Sequence, residues 1–102
     1  MGHSFGGAVA INAGIRSPLV VTVIAVASQL FGAYGVAELA PKPLLLVHGT
    51  ADTILPDLSS RMLYENAKEP KTLKLFEGAD HRLNPVGGEL HGLVTDWVPA
   101  KT

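Results

Sequence analysis

Apolar residues fall into short blocks separated by stretches rich in glycine and proline, and the period of the blocks changes along the chain. Residues 19–27, Leu-Val-Val-Thr-Val-Ile-Ala-Val-Ala, are apolar or β-branched almost without a break. That is the pattern of a strand covered on both faces, as in a parallel sheet. Residues 43–48, Pro-Leu-Leu-Leu-Val-His, repeat it, with proline at the first position, where a missing N–H is tolerated. From Lys71 to Phe76 the chain alternates, with Leu73 and Leu75 on one face and Thr72, Lys74 and Phe76 on the other. This predicts a third strand with one wetter face, nearer an edge. Three helices are predicted, one before, one between and one after the strands. Ala8–Ile15 is small and apolar, with Asn12 its one polar residue, and is ended by Gly14 and Ser17-Pro18. Leu58–Ala67 carries apolar residues at 58, 62, 63 and 67, one helical face. Val86–Val98 holds Leu90, Leu93, Val94 and Trp97 and is stopped by Pro99. The remaining stretches, Ser28–Lys42, Gly49–Asp57 and Gly78–Pro85, read as loops, the first with room for a short helical turn. Alternating strand and helix in one compact chain predicts an α/β fold: a minimal parallel sheet of about three strands, right-handed crossovers and flanking helices. Residues 1–102 read as a single domain.

Composition changes this picture in three ways. Hydrophobic residues make up 47% of the 102 residues and charged residues 17%, against a usual charged share of about 25%. Such a chain collapses, which excludes intrinsic disorder as its main character. A domain this small buries a modest share of its surface, so its apolar excess calls for a partner. A second copy is the simplest cover, giving a homo-oligomer, a dimer or a dimer of dimers. The block 19–27 sharpens that expectation, because a strand apolar on both sides and lacking a neighbour exposes unpaired backbone groups. There is no cysteine, which excludes disulfides, thiolate metal sites and a thiol nucleophile. The net charge is -1, which gives no electrostatic basis for binding nucleic acid or an anionic membrane. No apolar run approaches the ~20 residues of a membrane span. The first residues lack the basic and apolar regions of a signal peptide, so a cytoplasmic location is expected.

Three short motifs carry chemistry. Gly2-His3-Ser4-Phe5-Gly6, followed by Gly7, has the form G-x-S-x-G of a nucleophile elbow. A serine there sits at a tight strand-to-helix turn, and side chains two residues to either side are expected to collide. The Phe5 N–H, at the start of the following helix, is placed to bind an oxyanion. The plain alternative is a glycine-rich turn. The second motif runs Leu44-Leu45-Leu46-Val47-His48-Gly49-Thr50-Ala51-Asp52. It delivers Asp52 just past the C-terminal end of a buried strand, where parallel sheets gather their functional groups. Asp52 has an alternative use as a turn former. Asp57 is the competing carboxylate and reads better as a helix N-cap. The third is Phe76-Glu77-Gly78-Ala79-Asp80-His81, a strand end presenting His81 on a loop. Among the other histidines, His3 is expected to pack beside Ser4, His48 ends a strand and His91 faces solvent. No H-E-x-x-H or similar spacing exists, so no metal site is expected.

Ser4, Asp52 and His81 follow one another in the chain order of the α/β-hydrolase triad, and on these motifs the sequence resembles that family. It is most similar to small serine esterases and dienelactone-hydrolase-like members without a lid. The resemblance runs over essentially the whole chain but corresponds only to the C-terminal half of the family fold. The strand that leads into the serine turn, and the loop that supplies a second oxyanion N–H, have no counterpart. Val47-His48-Gly49 leads into Asp52 and matches the acid loop, not that oxyanion loop. The resemblance implies a serine hydrolase of the esterase or lipase kind, cleaving small-molecule carboxylic esters without metal or organic cofactor. In it Ser4 would attack, His81 would relay the proton, Asp52 would orient the imidazole and the Phe5 N–H would hold the oxyanion. Two alternatives stay open: a non-catalytic remnant that self-associates, and a peptidase or thioesterase using the same three residues.

Overall fold

Four parallel strands lie side by side in chain order in the computed structural model, which describes residues 1–20, 22–29, 35–83 and 92–93. They are β1 (Gly2–His3), β2 (Val23–Val26), β3 (Leu44–Gly49) and β4 (Lys71–Phe76). Helix α1 (Phe5–Arg16) follows β1, a 3-10 turn over Val36–Leu39 precedes β3, and α2 (Leu58–Asn66) joins β3 to β4. The register is continuous: Val23 pairs with Leu44 and Leu44 with Lys71, through to Gly49 opposite Phe76.

The near-continuous apolar strands follow from covering both faces of the sheet. Val23, Ala25, Leu44 and Leu46 point to one side, where they meet Ala8 and Ile11 of α1, Val36 and Leu39 of the 3-10 turn, and Leu63 with Ala67 around the end of α2. Ile24, Val26, Leu45 and Val47 point to the other side, against Phe76, Ala79 and Leu83, with Leu93 beside them. Leu44, Leu45, Leu46 and Leu63 are all buried, and each such side chain contributes roughly 1.5–3 kcal/mol on leaving water. The alternation in β4 also has its structural counterpart. Leu73 and Leu75 are half-buried while Thr72 and Lys74 are exposed, as suits an outer strand whose polar positions discourage edge pairing; Phe76, expected on the wetter face, is buried in the core instead.

The parallel sheet with flanking helices is the expected architecture, with differences in its parts. A fourth strand is present. Gly2 and His3 pair in parallel with Ala25 and Val26, so a strand does enter the serine turn, though two residues are too few for a sequence pattern to register. The strand expected over 19–27 is confined to Val23–Val26. Leu19, on a turn after Pro18, is 89% exposed. Helix α1 starts three residues earlier than its apolar block and runs past Gly14 to Arg16. A Cβ on Gly14 would lie 2.6 Å from Val23 and 2.8 Å from Leu39, so that glycine serves close packing and not helix termination. The Lys42 ammonium donates to the carbonyls of Gly14 and Ser17, satisfying acceptors at the end of α1 that the helix leaves open.

Helix α2 turns inward only part of the face its apolar residues suggest: Leu63 and Ala67 are in the core, the other two are not. Leu58 and Met62 are 57% and 40% exposed, whereas Ser59, Ser60 and Leu63 are buried. The reason is polar. The Ser59 hydroxyl is 2.8 Å from the Ser28 carbonyl and 3.0 Å from that of Pro56, and the Ser60 hydroxyl meets His48. Asp57 occupies the N-cap position but its side chain caps no N–H; it pairs with Arg61 at 3.2 Å instead. The helix expected over 86–98 lies outside the described residues, apart from Gly92 and Leu93, which are helical.

Candidate active site

The C-terminal ends of β1, β3 and β4 converge, and the segments leaving them carry the three side chains singled out from the sequence. Ser4 separates β1 from α1 with φ 58° and ψ -121°, a backbone conformation that costs a non-glycine residue on the order of 1–3 kcal/mol. Its N–H donates to the Val26 carbonyl at 2.8 Å, and its own carbonyl accepts from the Gly7 N–H at 2.9 Å. The turn is therefore locked to β2 on one side and to α1 on the other. The steric expectation for the flanking glycines holds for one of them. A Cβ on Gly2 would lie 1.8 Å from the Gly6 carbonyl oxygen, but one on Gly6 would meet nothing within 4 Å. Gly6 sits on the outer side of α1, so its Cβ direction is open. Gly2→Ala is thus expected to lower stability by at least the ~1–3 kcal/mol of an overpacked core. Gly6→Ala should hold or raise the melting temperature, because alanine outranks glycine in a helix by about 1 kcal/mol. Thermal melts of both variants check this pair; equal destabilisation would refute it.

Asp52 and His81 come from two loops tied to each other. Ala51 N–H donates to the Ala79 carbonyl at 2.9 Å, and Thr50 N–H to that of Phe76 at 3.1 Å. The Gly78 N–H reaches the Thr50 hydroxyl at 2.8 Å. A Cβ on Gly49 would fall 2.3 Å from the Ala79 carbonyl oxygen, so the close approach of the loops depends on that glycine.

Within this frame His81 bridges the other two residues. Its Nδ1 lies 2.7 Å from Asp52 Oδ2 and its Nε2 3.0 Å from Ser4 Oγ. A carboxylate only accepts, so Nδ1 carries the proton toward Asp52 and Nε2 is left to accept from the serine hydroxyl. Asp52 Oδ1 accepts from the Ile54 and Leu55 N–H groups at 2.9 and 2.7 Å. Burial raises the Asp52 pKa, but the Leu55 N–H, the His81 ring and the Ile54 N–H together outweigh it, and the carboxyl lies below its usual value. A depressed folded value means a contribution to stability that is present above the unfolded pKa of about 3.9 and lost as pH falls through the folded one. Asp52→Asn should accordingly destabilise the protein at neutral pH, by a margin that closes as pH drops below ~4. Denaturant titrations at a series of pH values measure the gap, and a gap constant down to low pH would exclude the carboxylate as its source.

The remaining candidates are placed as follows. Phe5 is the first residue of α1, so its N–H is one of the helix-terminal donors without an intrahelical partner. His3, expected beside Ser4, lies against His81: the rings stack with centroids 5.1 Å apart, and His3 Nε2 donates to the His81 carbonyl at 2.7 Å. Asp57 is engaged by Arg61 and Asp80 Oδ1 accepts from the Arg82 N–H; neither is the carboxylate paired with His81. His91 is outside the described residues. A cavity of about 350 Å³ lined by Thr53, Ile54, Asp80, His81 and Arg82 opens beside the imidazole. A second of about 200 Å³ lies between Met1, His3, Val26, Arg82 and Leu83. His48, which the sequence placed at a strand end without a role, is fully buried; the signal was a histidine inside an otherwise apolar strand.

The fold is that of the α/β hydrolases, over the part of it that this chain spans. Dienelactone hydrolase from Anabaena variabilis superposes with a TM-score of 0.85 at 22% identity, covering 98% of this chain and 47% of that one. In sequence, the uncharacterized protein YfhR of Escherichia coli K12 is 48% identical over 46 residues, which are 45% of this chain and 16% of YfhR. Caffeoylshikimate esterase of Arabidopsis thaliana is 48% identical over 42 residues, 40% of this chain and 13% of the esterase. The chain thus spans about half the length of its structural neighbour, and its matched segment far less of the curated relatives. No protein-family model matches the sequence. Among the described residues no helix is long and apolar enough to cross a membrane.

Proposed function

We propose that the protein is a serine hydrolase cleaving small-molecule carboxylic esters through Ser4, His81 and Asp52. The observation that carries this reading is the unbroken hydrogen-bonded line from Asp52 Oδ2 through both nitrogens of His81 to Ser4 Oγ, at 2.7 and 3.0 Å. The strained serine at the head of a helix adds to it. Ester chemistry draws support from the local similarity to an esterase in sequence and to dienelactone hydrolase in fold.

In this mechanism Ser4 Oγ attacks the acyl carbonyl as its proton passes to His81 Nε2. Asp52 keeps the ring in the attacking tautomer and stabilises the imidazolium that forms. The Phe5 N–H donates to the oxyanion of the tetrahedral intermediate. The C–O bond to the alcohol breaks, His81 returns the proton to the leaving oxygen, and an acyl-Ser4 ester remains. Water deprotonated by His81 attacks that ester, and the carboxylic acid and free serine are restored. The cavity beside His81 and the one lined by His3 and Arg82 offer room for an acyl and an alcohol portion. No step calls for a metal or organic cofactor.

The test is a burst of p-nitrophenol from p-nitrophenyl esters by the purified chain, with Ser4→Ala as control, followed by a panel of acyl lengths, thioesters and amides. A stoichiometric burst lost in Ser4→Ala supports the reading. A panel that favours thioesters or amides would move it to a thioesterase or peptidase, and silence on every substrate would leave a non-catalytic hydrolase remnant.

Self-association belongs to the same proposal. A charge placed at Val23 or Ile24 would be a poor probe of assembly, since both are buried inside the chain at 2% and 4% exposure. Among the described residues β1 and β4 are the outer strands, and beside β1 and α1 lies a cavity of about 390 Å³ lined by Met1, Gly6, Val9, Ala10, Val20 and neighbours. Val9 is 51% exposed there, so Val9→Lys should keep the fold and reduce a dimer to monomer in light scattering. A wild-type chain that is monomeric at assay concentration would overturn the assembly.

A further inference from the structure

The polar groups buried beneath the Asp52 loop form a second network that the ester mechanism does not use. His48, near the end of β3, has no exposed surface, and neither does Ser60 on α2. His48 Nδ1 lies 2.6 Å from the Ser60 hydroxyl and Nε2 2.8 Å from the Leu55 carbonyl. That carbonyl can only accept, so Nε2 carries the ring proton, and the Ser60 hydroxyl donates to Nδ1. The same Nε2 lies 3.1 Å from Asp52 Oδ2, with both side chains fully buried. Leu55 is the shared piece. Its carbonyl is held by His48, and its N–H is the 2.7 Å donor to Asp52 Oδ1.

We propose that His48, held by Ser60, is a positioning residue for Asp52. It anchors the 52–55 turn through the Leu55 carbonyl and sets the positive edge of its ring beside the carboxylate oxygen that faces His81. Two buried serines on the inner face of α2, which packing alone would have filled with apolar residues, are then accounted for: Ser59 ties the helix to its surroundings and Ser60 orients the imidazole. The inference rests on the proposed roles of Asp52 and His81. Loosening the carboxylate misaligns the imidazole, and misplacement on the scale of an ångström costs up to about 100-fold in rate.

The experiment compares His48→Phe, His48→Gln and Ser60→Ala with the wild type, each checked for fold by circular dichroism. Two readouts are taken: kcat and KM on a p-nitrophenyl ester across pH, and the downfield NMR resonance of the His81 Nδ1 proton shared with Asp52. His48→Phe should lower kcat roughly 10–100-fold with KM within about two-fold, move the acidic limb of the kcat/KM profile, and broaden or shift the resonance. The groups facing His81 and Asp52 in that profile are His3, His48, Asp80 and Arg82. His48→Gln, whose amide can still donate to the Leu55 carbonyl, should recover most of kcat and the resonance, and Ser60→Ala should fall between. Folded variants with unchanged kcat and resonance would overturn the proposal, as would equal losses in His48→Phe and His48→Gln. If His48→Phe fails to fold, Ser60→Ala against wild type decides by the same two readouts. If the wild type hydrolyses nothing, the resonance still reports on the Asp52–His81 pair, so the positioning role can stand while the ester reading falls.

Discussion

Alanine at Ser4 or at His81 is expected to lower kcat/KM by about four to six orders of magnitude, and the double variant to fall no further than the worse single one. In the proposed mechanism His81 has no purpose without the hydroxyl it deprotonates, and the hydroxyl is a poor nucleophile without the base, so the two losses overlap. The 3.0 Å separation of Nε2 and Oγ is already within proton-transfer reach. Residual hydrolysis would come from binding and from the helix-terminal N–H at Phe5. The measurement is a double-variant cycle on one activated ester, with active-site titration to fix the enzyme concentration. Additive losses, the double variant falling by the product of the two singles, would mean the residues act in separate steps.

Asp52→Asn should cost about four orders of magnitude in kcat, the scale seen when an orienting carboxylate becomes an amide. The amide presents an N–H where the imidazole presents its own, so the ring is driven toward the tautomer whose Nε2 carries the proton and cannot accept the serine's. The control carboxylates are well separated in their attachments. Asp57 is paired with Arg61, and Asp80 takes the Arg82 N–H on its own loop. Asp57→Asn and Asp80→Asn are expected within a few-fold of wild type, since exposed pairs contribute at most about 1 kcal/mol. A crippling Asp80→Asn beside a mild Asp52→Asn would reassign the acid.

The sequence was most readable where burial and period agree. β3 and β4 begin and end within a residue of their blocks, because the first is covered on both sides and the second alternates. Asp52 and His81 could be placed at strand ends for the same reason. β1 could not be read, since two residues hold no period. In β2 the apolar run outlasts the pairing, and hydropathy does not mark where a strand's hydrogen bonds stop. Helix α2 was legible by half: Leu63 and Ala67 of its stripe are buried, but hydrogen bonds from Ser59 and Ser60 fill the rest of the inward face while Leu58 and Met62 remain at the surface. The glycines of the serine turn look alike in the sequence, yet the close contact belongs to Gly2 and not to Gly6. Such contacts depend on where other parts of the backbone come to rest, which local pattern does not encode.

Asp52 and His81, the proposed acid and base, are 29 residues apart along the chain and sit on loops bound to each other, whereas Ser4 reaches His81 across 77 residues. Closing the longer loop is the larger entropic step, and Ser4 is held at its far end by its N–H on the Val26 carbonyl and its carbonyl on the Gly7 N–H. A change at the Ser4 turn alone would therefore withdraw the hydroxyl while Asp52 and His81 stay paired through their own loops. Such a change switches the chemistry off and leaves no uncompensated charge in the interior, so readiness for reaction can be lost and regained without dismantling the core.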